Sequence, residues 1–114
     1  MKAIVIDPDE RSINYVERDF ADFREIQKEI YCSCFTVAGY LNGHAVYCDD
    51  EGMMNMNLVF TKMSHYPYPL AGRIVLLKAT DDGDSDDATM TIDEVKNEIQ
   101  FLTVFQVKKQ YARG

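Results

Sequence analysis

Between Asp81 and Asp87 the chain places five of its nineteen acidic residues, at Asp81, Asp82, Asp84, Asp86 and Asp87. Carboxylates at alternate positions, as at Asp82, Asp84 and Asp86, are the donor pattern of a calcium loop. That loop also needs glycine at its sixth position, for a sharp turn, and a bidentate glutamate at its twelfth. Counted from Asp82, those positions hold Asp87 and Asp93. The turn is not provided, and the last ligand is one methylene short. An entering helix is missing too, because Arg73 to Ala79 reads as a strand. The spacing therefore argues against calcium. Two readings remain: a mobile, solvated loop of mutually repelling charges, and an acidic lure for a basic partner.

Cys32, Cys34, His44 and Cys48 are the residues that would bind zinc. Their placement depends on the hairpin around Asn42-Gly43, the strongest two-residue turn signal in the chain. With that turn, Leu41 pairs with His44, Gly39 with Val46 and Val37 with Cys48. One face then carries Phe35, Val37, Leu41, His44, Val46 and Cys48, and reads as the core face. The other carries Thr36, Ala38, Tyr40, Ala45, Tyr47 and Asp49, with Cys34 on the same side. Zinc ligands must converge on one ion, and these are divided across a sheet. Cys48 reads more simply as a small core residue, and an odd cysteine count without a secretory leader reads as reduced thiols in a cytosolic compartment.

Nucleophilic chemistry finds no frame. The chain has no Gly-x-Ser-x-Gly elbow, His-Glu-x-x-His pair, phosphate loop or Gly-x-Gly-x-x-Gly fingerprint, and no cofactor is expected. His65 stands beside Ser64 without a partner pattern. Asp49, Asp50 and Glu51 read as solvated turn residues. An enzyme is the lowest-ranked reading.

The tyrosines are the better lead. Tyr40 and Tyr47 share the less apolar hairpin face, and Tyr66 and Tyr68 sit in the stiff Tyr-Pro-Tyr-Pro segment. A flat apolar ring with a hydrogen-bonding tip suits a contact surface. The competing reading, equally weighted, is that the first helix covers the hairpin face and buries both tyrosines.

The elements that must position these residues follow from periodicity. Lys2 to Ile6 is an unbroken apolar run, the pattern of a central strand, and a turn at Asp7-Pro8-Asp9-Glu10 returns the chain along Ser12 to Glu17. Asp19 reads as the N-cap of a helix to residue 30, with Phe20, Phe23, Ile26, Gln27 and Ile30 as its stripe. Residues 53–63 fit either a strand or an irregular segment. Thr91-Ile92-Asp93-Glu94 has capping-box spacing and opens a helix striped by Ile92, Val95, Ile99 and Leu102. That helix is expected over 91–106, although Phe101 to Val107 also alternates as a strand would.

Length and charge set the outer bounds. At 114 residues the chain is expected to form one domain over 1–114, with an acidic loop at about 80–89. Its formal charge of −7 and the absence of a basic cluster oppose direct nucleic-acid binding. No apolar run reaches the roughly 18 residues of a membrane-spanning helix.

Several segments together resemble a known family. They are the opening Ala3-Ile4-Val5-Ile6-Asp7-Pro8, the middle Val46-Tyr47-Cys48-Asp49-Asp50-Glu51-Gly52, the later Pro69-Leu70-Ala71-Gly72-Arg73-Ile74-Val75, and Thr91-Ile92-Asp93-Glu94 after the acidic loop. Their order is similar to that of small uncharacterised domains encoded by bacteriophages, plasmids and other mobile elements. The Met- and Tyr-rich segment from Met53 to Tyr68 departs from that pattern. The resemblance carries no activity and no site residues. It implies a binding role in a bacterial host: blocking an enzyme, sequestering a signal nucleotide, or modulating transcription.

The expected fold is α+β: one mixed or antiparallel sheet of about five strands with two helices packed on it. Ile4, Ile6, Val37, Val46, Ile74 and Leu76 would form the sheet core. Phe23, Ile26, Ile30, Val95, Ile99 and Leu102 would meet it from the helices. The expected function is non-enzymatic binding of a basic host protein, such as a defence or transcription component, in the bacterial cytoplasm. Asp81, Asp82, Asp84, Asp86 and Asp87 would supply the field and Tyr40, Tyr47, Tyr66 and Tyr68 the contact. The alternative is sequestration of a nucleotide stacked on those tyrosines, with Lys62 or Arg73 meeting its phosphate.

Overall fold

The apolar run at the N-terminus becomes β1 (Lys2–Asp7), and its neighbours explain why it is apolar on both faces. The computed structural model describes residues 1–50 and 59–111. β1 lies between β2 (Ser12–Glu17) and β7 (Ile74–Ala79), and the sheet continues through β4 (His44–Asp49) to β3 (Phe35–Leu41) at the far edge. A two-residue strand, β8 (Ser85–Asp86), also pairs with β7. Every pairing in this six-stranded sheet is antiparallel. Ile4 and Ile6 enter the core on one face, and Ala3 and Val5 enter it on the other.

One face is covered by α1 (Phe23–Ile30), whose Ile26 and Ile30 pack with Phe20, Val75 and Leu77. The expected N-cap moves from Asp19 to Asp22, which accepts a hydrogen bond from the Arg24 N–H. The cause is Phe20: its ring is buried in the core, and residues 19–22 form a turn that delivers it there. Phe23, expected in the core stripe, is 59% exposed on the outer side of the helix.

The other face is covered by a second sheet that the expected fold did not contain and by the first part of the helix expected after Thr91. β5 (Val59–Met63) is flanked by β6 (Leu70–Ala71) and β9 (Ile99–Thr103) in a second, three-stranded antiparallel sheet. α2 (Ile92–Glu98) lies beside it, opened by the expected capping box of Thr91 and Glu94. Met63, Leu70 and Val95 join Ile4, Val46 and Leu76 in the largest core cluster. Behind the small sheet, α3 (Val104–Tyr111) packs Val107 against Phe60 and Leu102.

The expectation of α+β with antiparallel strands therefore holds, while among the described residues the single sheet of about five strands becomes two sheets and the two helices become three. The helix expected over 91–106 breaks at Ile99, whose backbone is extended (φ −130°, ψ 161°). Residues 99–103 satisfy their backbone groups on β5 instead of in a helix. A reciprocal cap then restarts the helix: Gln106 accepts from the Thr103 N–H, and the Thr103 hydroxyl accepts from the Gln106 N–H.

Candidate interaction surface

The hairpin β3–β4 carries two of the predicted contact residues, Tyr40 and Tyr47, and a bulge changes which faces the first residues of β3 take. Leu41 pairs with His44 and Tyr40 with Ala45, as expected from the Asn42-Gly43 turn. The register then shifts, so that Val37 faces Tyr47, Thr36 faces Cys48 and Phe35 faces Asp49. Gly39 makes the shift possible. Its φ is +104°, and a Cβ there would come within 3.2 Å of the His65 ring; both favour glycine. Beyond the bulge, odd and even positions exchange faces. Phe35 thus leaves the expected core face and meets Tyr47 edge-on, at 5.5 Å between ring centroids, under α1. Val37, expected in the core, is 40% exposed. Ala38 takes the place beside Cys48 in the main core.

The four tyrosines do not form one surface. Tyr47 is half-buried against the α1 cluster, and its hydroxyl lies 3.2 Å from the Ser85 Oγ. Tyr40 lies beyond the cover of α1 and is 61% exposed. Tyr66 and Tyr68 pack edge-to-face at 6.2 Å and line a groove of about 310 Å³ with Thr36, Val37, Asp49 and Asp50. Among the described residues, no lysine or arginine lines this groove. Asp50 is exposed, and its N–H donates to the Cys34 carbonyl, continuing the ladder past the end of β3.

The acidic run is a closed hairpin leading from β7 into β8. The Thr80 N–H donates to the Asp84 carbonyl and the Gly83 N–H to the Thr80 carbonyl. The Thr80 hydroxyl donates to Asp82 at 2.7 Å and holds that carboxyl below the usual carboxylate range. Asp87 accepts from the Lys2 N–H at 2.7 Å, and Asp86 from the Asp87 N–H. Asp81 and Asp84 keep exposed carboxylates. This hairpin lies beside the Asn42-Gly43 turn, where the Ala79 N–H meets the Gly43 carbonyl. The Tyr66–Tyr68 groove is at the opposite end of β4, beside Asp49 and Asp50.

The two cations proposed to meet phosphate have internal partners. The Lys62 ammonium donates to the Met63 carbonyl at 2.6 Å and to the Tyr66 carbonyl. Arg73 donates to Glu29 at 2.5 Å and to Asp7 at 3.3 Å, with its guanidinium 4.7 Å from the Tyr31 ring centroid. Glu29, buried at 5% exposure, also accepts from the Arg18 Nε at 2.6 Å. Cys32 packs on the α1 side and Cys48 in the core on the opposite face. Burial pushes both thiols up to about 11, which keeps them protonated and unreactive near neutral pH.

Sequence reasoning passed over three features. The Arg18–Glu29–Arg73 network joins residues far apart in the chain and leaves no local pattern. His44, weighed in the sequence as a zinc ligand, is fully buried, with both ring nitrogens engaged in hydrogen bonds. The bulge did have a signal, since an isolated glycine inside a strand marks one.

Residues 1–101, from β1 into β9, match a protein family described as a domain of unknown function, DUF3846. The chain belongs to that family. α3 lies outside the matched residues. A relative within reach of ordinary sequence comparison is a protein of Sinorhizobium fredii described as uncharacterized protein y4iR, 31% identical over 77 residues. The match covers 67% of the present chain and 48% of that protein, so the chain spans about half the length of its relative. No solved structure gives a significant match. Kinship to a family of domains of unknown function is thereby shown, and neither description mentions a mobile element. Among the described residues, no helix is long and apolar enough to cross a membrane.

Proposed function

We propose that this domain works by binding a protein partner with a basic surface. The observation that carries the reading is the groove at the end of the β3–β4 hairpin. It presents an aromatic pair, Tyr66 and Tyr68, with Asp49 and Asp50, and no lysine or arginine among the described residues. Tyrosines contribute contact area at little conformational cost, and carboxylates at the rim select and steer a cationic partner. The formal charge of −7 extends that attraction beyond the groove, and the exposed Asp81 and Asp84 at the far end of β4 add to it. The sequence resemblance to mobile-element domains makes a host protein the partner class we favour. The free thiols of Cys32, Cys34 and Cys48 suit an encounter in the reducing bacterial cytoplasm.

The test is a pull-down from bacterial extract with the wild-type domain and with Asp50→Asn and Tyr68→Ala. Each substitution should weaken capture of the same protein, and capture should fall steeply between low and high salt. A partner retained equally by all three proteins at high salt would sink the proposal.

A further inference from the structure

The outer edge of β3 narrows the kind of partner. In a two-residue hairpin the residues flanking the turn exchange both backbone hydrogen bonds, and the pattern alternates along the strand. Leu41 and His44 flank the turn, so Tyr40 directs its N–H and C=O away from β4. Past the bulge, the bond from Asp50 N–H to the Cys34 carbonyl fixes the phase. Thr36 then faces β4 in its pair with Cys48, and Phe35 and Val37 direct their backbone groups outward. β3 is the last strand in the sheet order, so these groups have no strand beside them among the described residues.

The side chains along this edge are also open. Val37 and Tyr40 are 40% and 61% exposed on the α1 side, and Tyr68 is 63% exposed on the groove side. Natural edge strands are commonly blunted by lysine, proline or a bulge. β3 carries neither lysine nor proline, and its bulge lies between Val37 and Tyr40. The segment from Phe35 to Val37 is left regular.

We infer that the partner adds an extended segment to the β3 edge as a further strand, with Lys or Arg at every second position facing the groove and apolar residues between them. This rests on the reading of the domain as a binder of basic proteins. Main-chain bonds to Phe35 and Val37 supply affinity, and side chains of alternate direction supply specificity. Groove-side cations meet Asp50 and the Tyr68 ring, while the intervening residues lie over Val37 and Tyr40. Charge decides against a second copy of this chain as the occupant. Pairing two β3 edges would bring two molecules of formal charge −7 together beside their own Asp50 side chains.

The test is selection from a displayed library of random peptides about ten residues long, a strand's length. Enriched sequences should alternate basic with apolar residues. On binding, amide exchange of Phe35 and Val37 should slow in the wild-type protein. Val37→Pro removes one outward N–H and leaves the β3–β4 ladder intact; it should weaken binding by at least about tenfold. The exchange measurement needs no variant, so it stands even if Val37→Pro fails to fold. If selected peptides lack alternation and Val37 gains no protection, while Asp50→Asn still weakens them, strand addition is wrong and charge-led binding survives. Failure to enrich any basic peptide overturns both. Concentration-dependent dimerisation that protects the Val37 amide without peptide would make a second copy the occupant and overturn the inference.

Discussion

The buried His44 imidazole ties the β3–β4 turn to the irregular segment that leads into α2: its Nε2 accepts from the Thr89 N–H at 2.9 Å, and its Nδ1 stands 2.9 Å from the Asn42 carbonyl. A backbone N–H can only donate, so Nε2 carries no proton. In the neutral ring the proton is on Nδ1, where it donates to Asn42. Both ring nitrogens are thereby satisfied at a residue with 1% exposure, which is the condition for burying a polar group without penalty. His44→Leu keeps the bulk but leaves the Thr89 N–H and the Asn42 carbonyl without partners, and should cost about 1–3 kcal/mol in urea denaturation. Nitrogen NMR should show the Nδ1–H tautomer. The Nε2–H form would break this account of the link.

Glu29 is the most consequential charge in the fold. Its two carboxylate oxygens hold Arg18 and Arg73, fastening the last turn of α1 to the start of β7 and the end of β2. Glu29→Ala leaves Arg73 next to the core with Asp7 as its remaining carboxylate. Removing one member of a buried pair costs about 3–5 kcal/mol, and the half-exposed Arg18 brings the expectation toward about 2–4. Arg18→Ala, which leaves the Glu29–Arg73 contact in place, should cost clearly less. Chemical denaturation of both variants decides the order, and equal losses would contradict it.

These two networks show where sequence reading stops. The central strand β1, the Asn42-Gly43 hairpin and the Thr91–Glu94 cap were legible because each is written in contiguous residues. Glu29 meets its arginines from eleven and forty-four positions away, and His44 meets Thr89 from forty-five. No local period announces such contacts. The division of the C-terminal segment into β9 and α3 lies between these cases. Thr103-Val104-Phe105-Gln106 has capping-box spacing, as Thr91 to Glu94 does, but its meaning depended on β5 being there to hold Ile99 to Thr103 extended. At the candidate site, Tyr66 and Tyr68 were legible as a pair, whereas the exposure of Val37 depended on a one-residue bulge that inverts the face of everything before it. The segment 53–58, read as ambiguous, lies outside the described residues, as do Glu51 and Gly52.

Thr61 sits between the two sheets with no exposure, and its hydroxyl finds no hydrogen-bond partner among the described residues. Its neighbours across the strand pair are Phe101 and Leu70. A hydroxyl buried without a partner costs about 1–3 kcal/mol, and valine has nearly the same shape. Thr61→Val should therefore raise stability by about 1 kcal/mol or more in thermal or urea unfolding. A loss of stability on this substitution would show that the hydroxyl is satisfied in solution.

Asp82 gives the acidic hairpin its own pH dependence. The Thr80 hydroxyl bond is the main cause that lowers this carboxyl, helped by a hydrogen bond from the Asp82 backbone. A carboxyl depressed in the folded state contributes stability that is fully present above its unfolded value, near pH 4, and is lost as pH falls through the lower folded value. The hairpin should thus stay closed through the ordinary carboxylate range and loosen only at more acid pH. Carbon-detected NMR titration should place the Asp82 midpoint below the ordinary aspartate value. Thr80→Val removes the hydroxyl donor, and should raise the Asp82 midpoint toward the ordinary aspartate value and speed amide exchange at Gly83 and Asp84. If the Asp82 midpoint stays low in Thr80→Val, the Thr80 bond is not what orders the hairpin. Asp81, Asp82 and Asp84 would then be held by the backbone path alone.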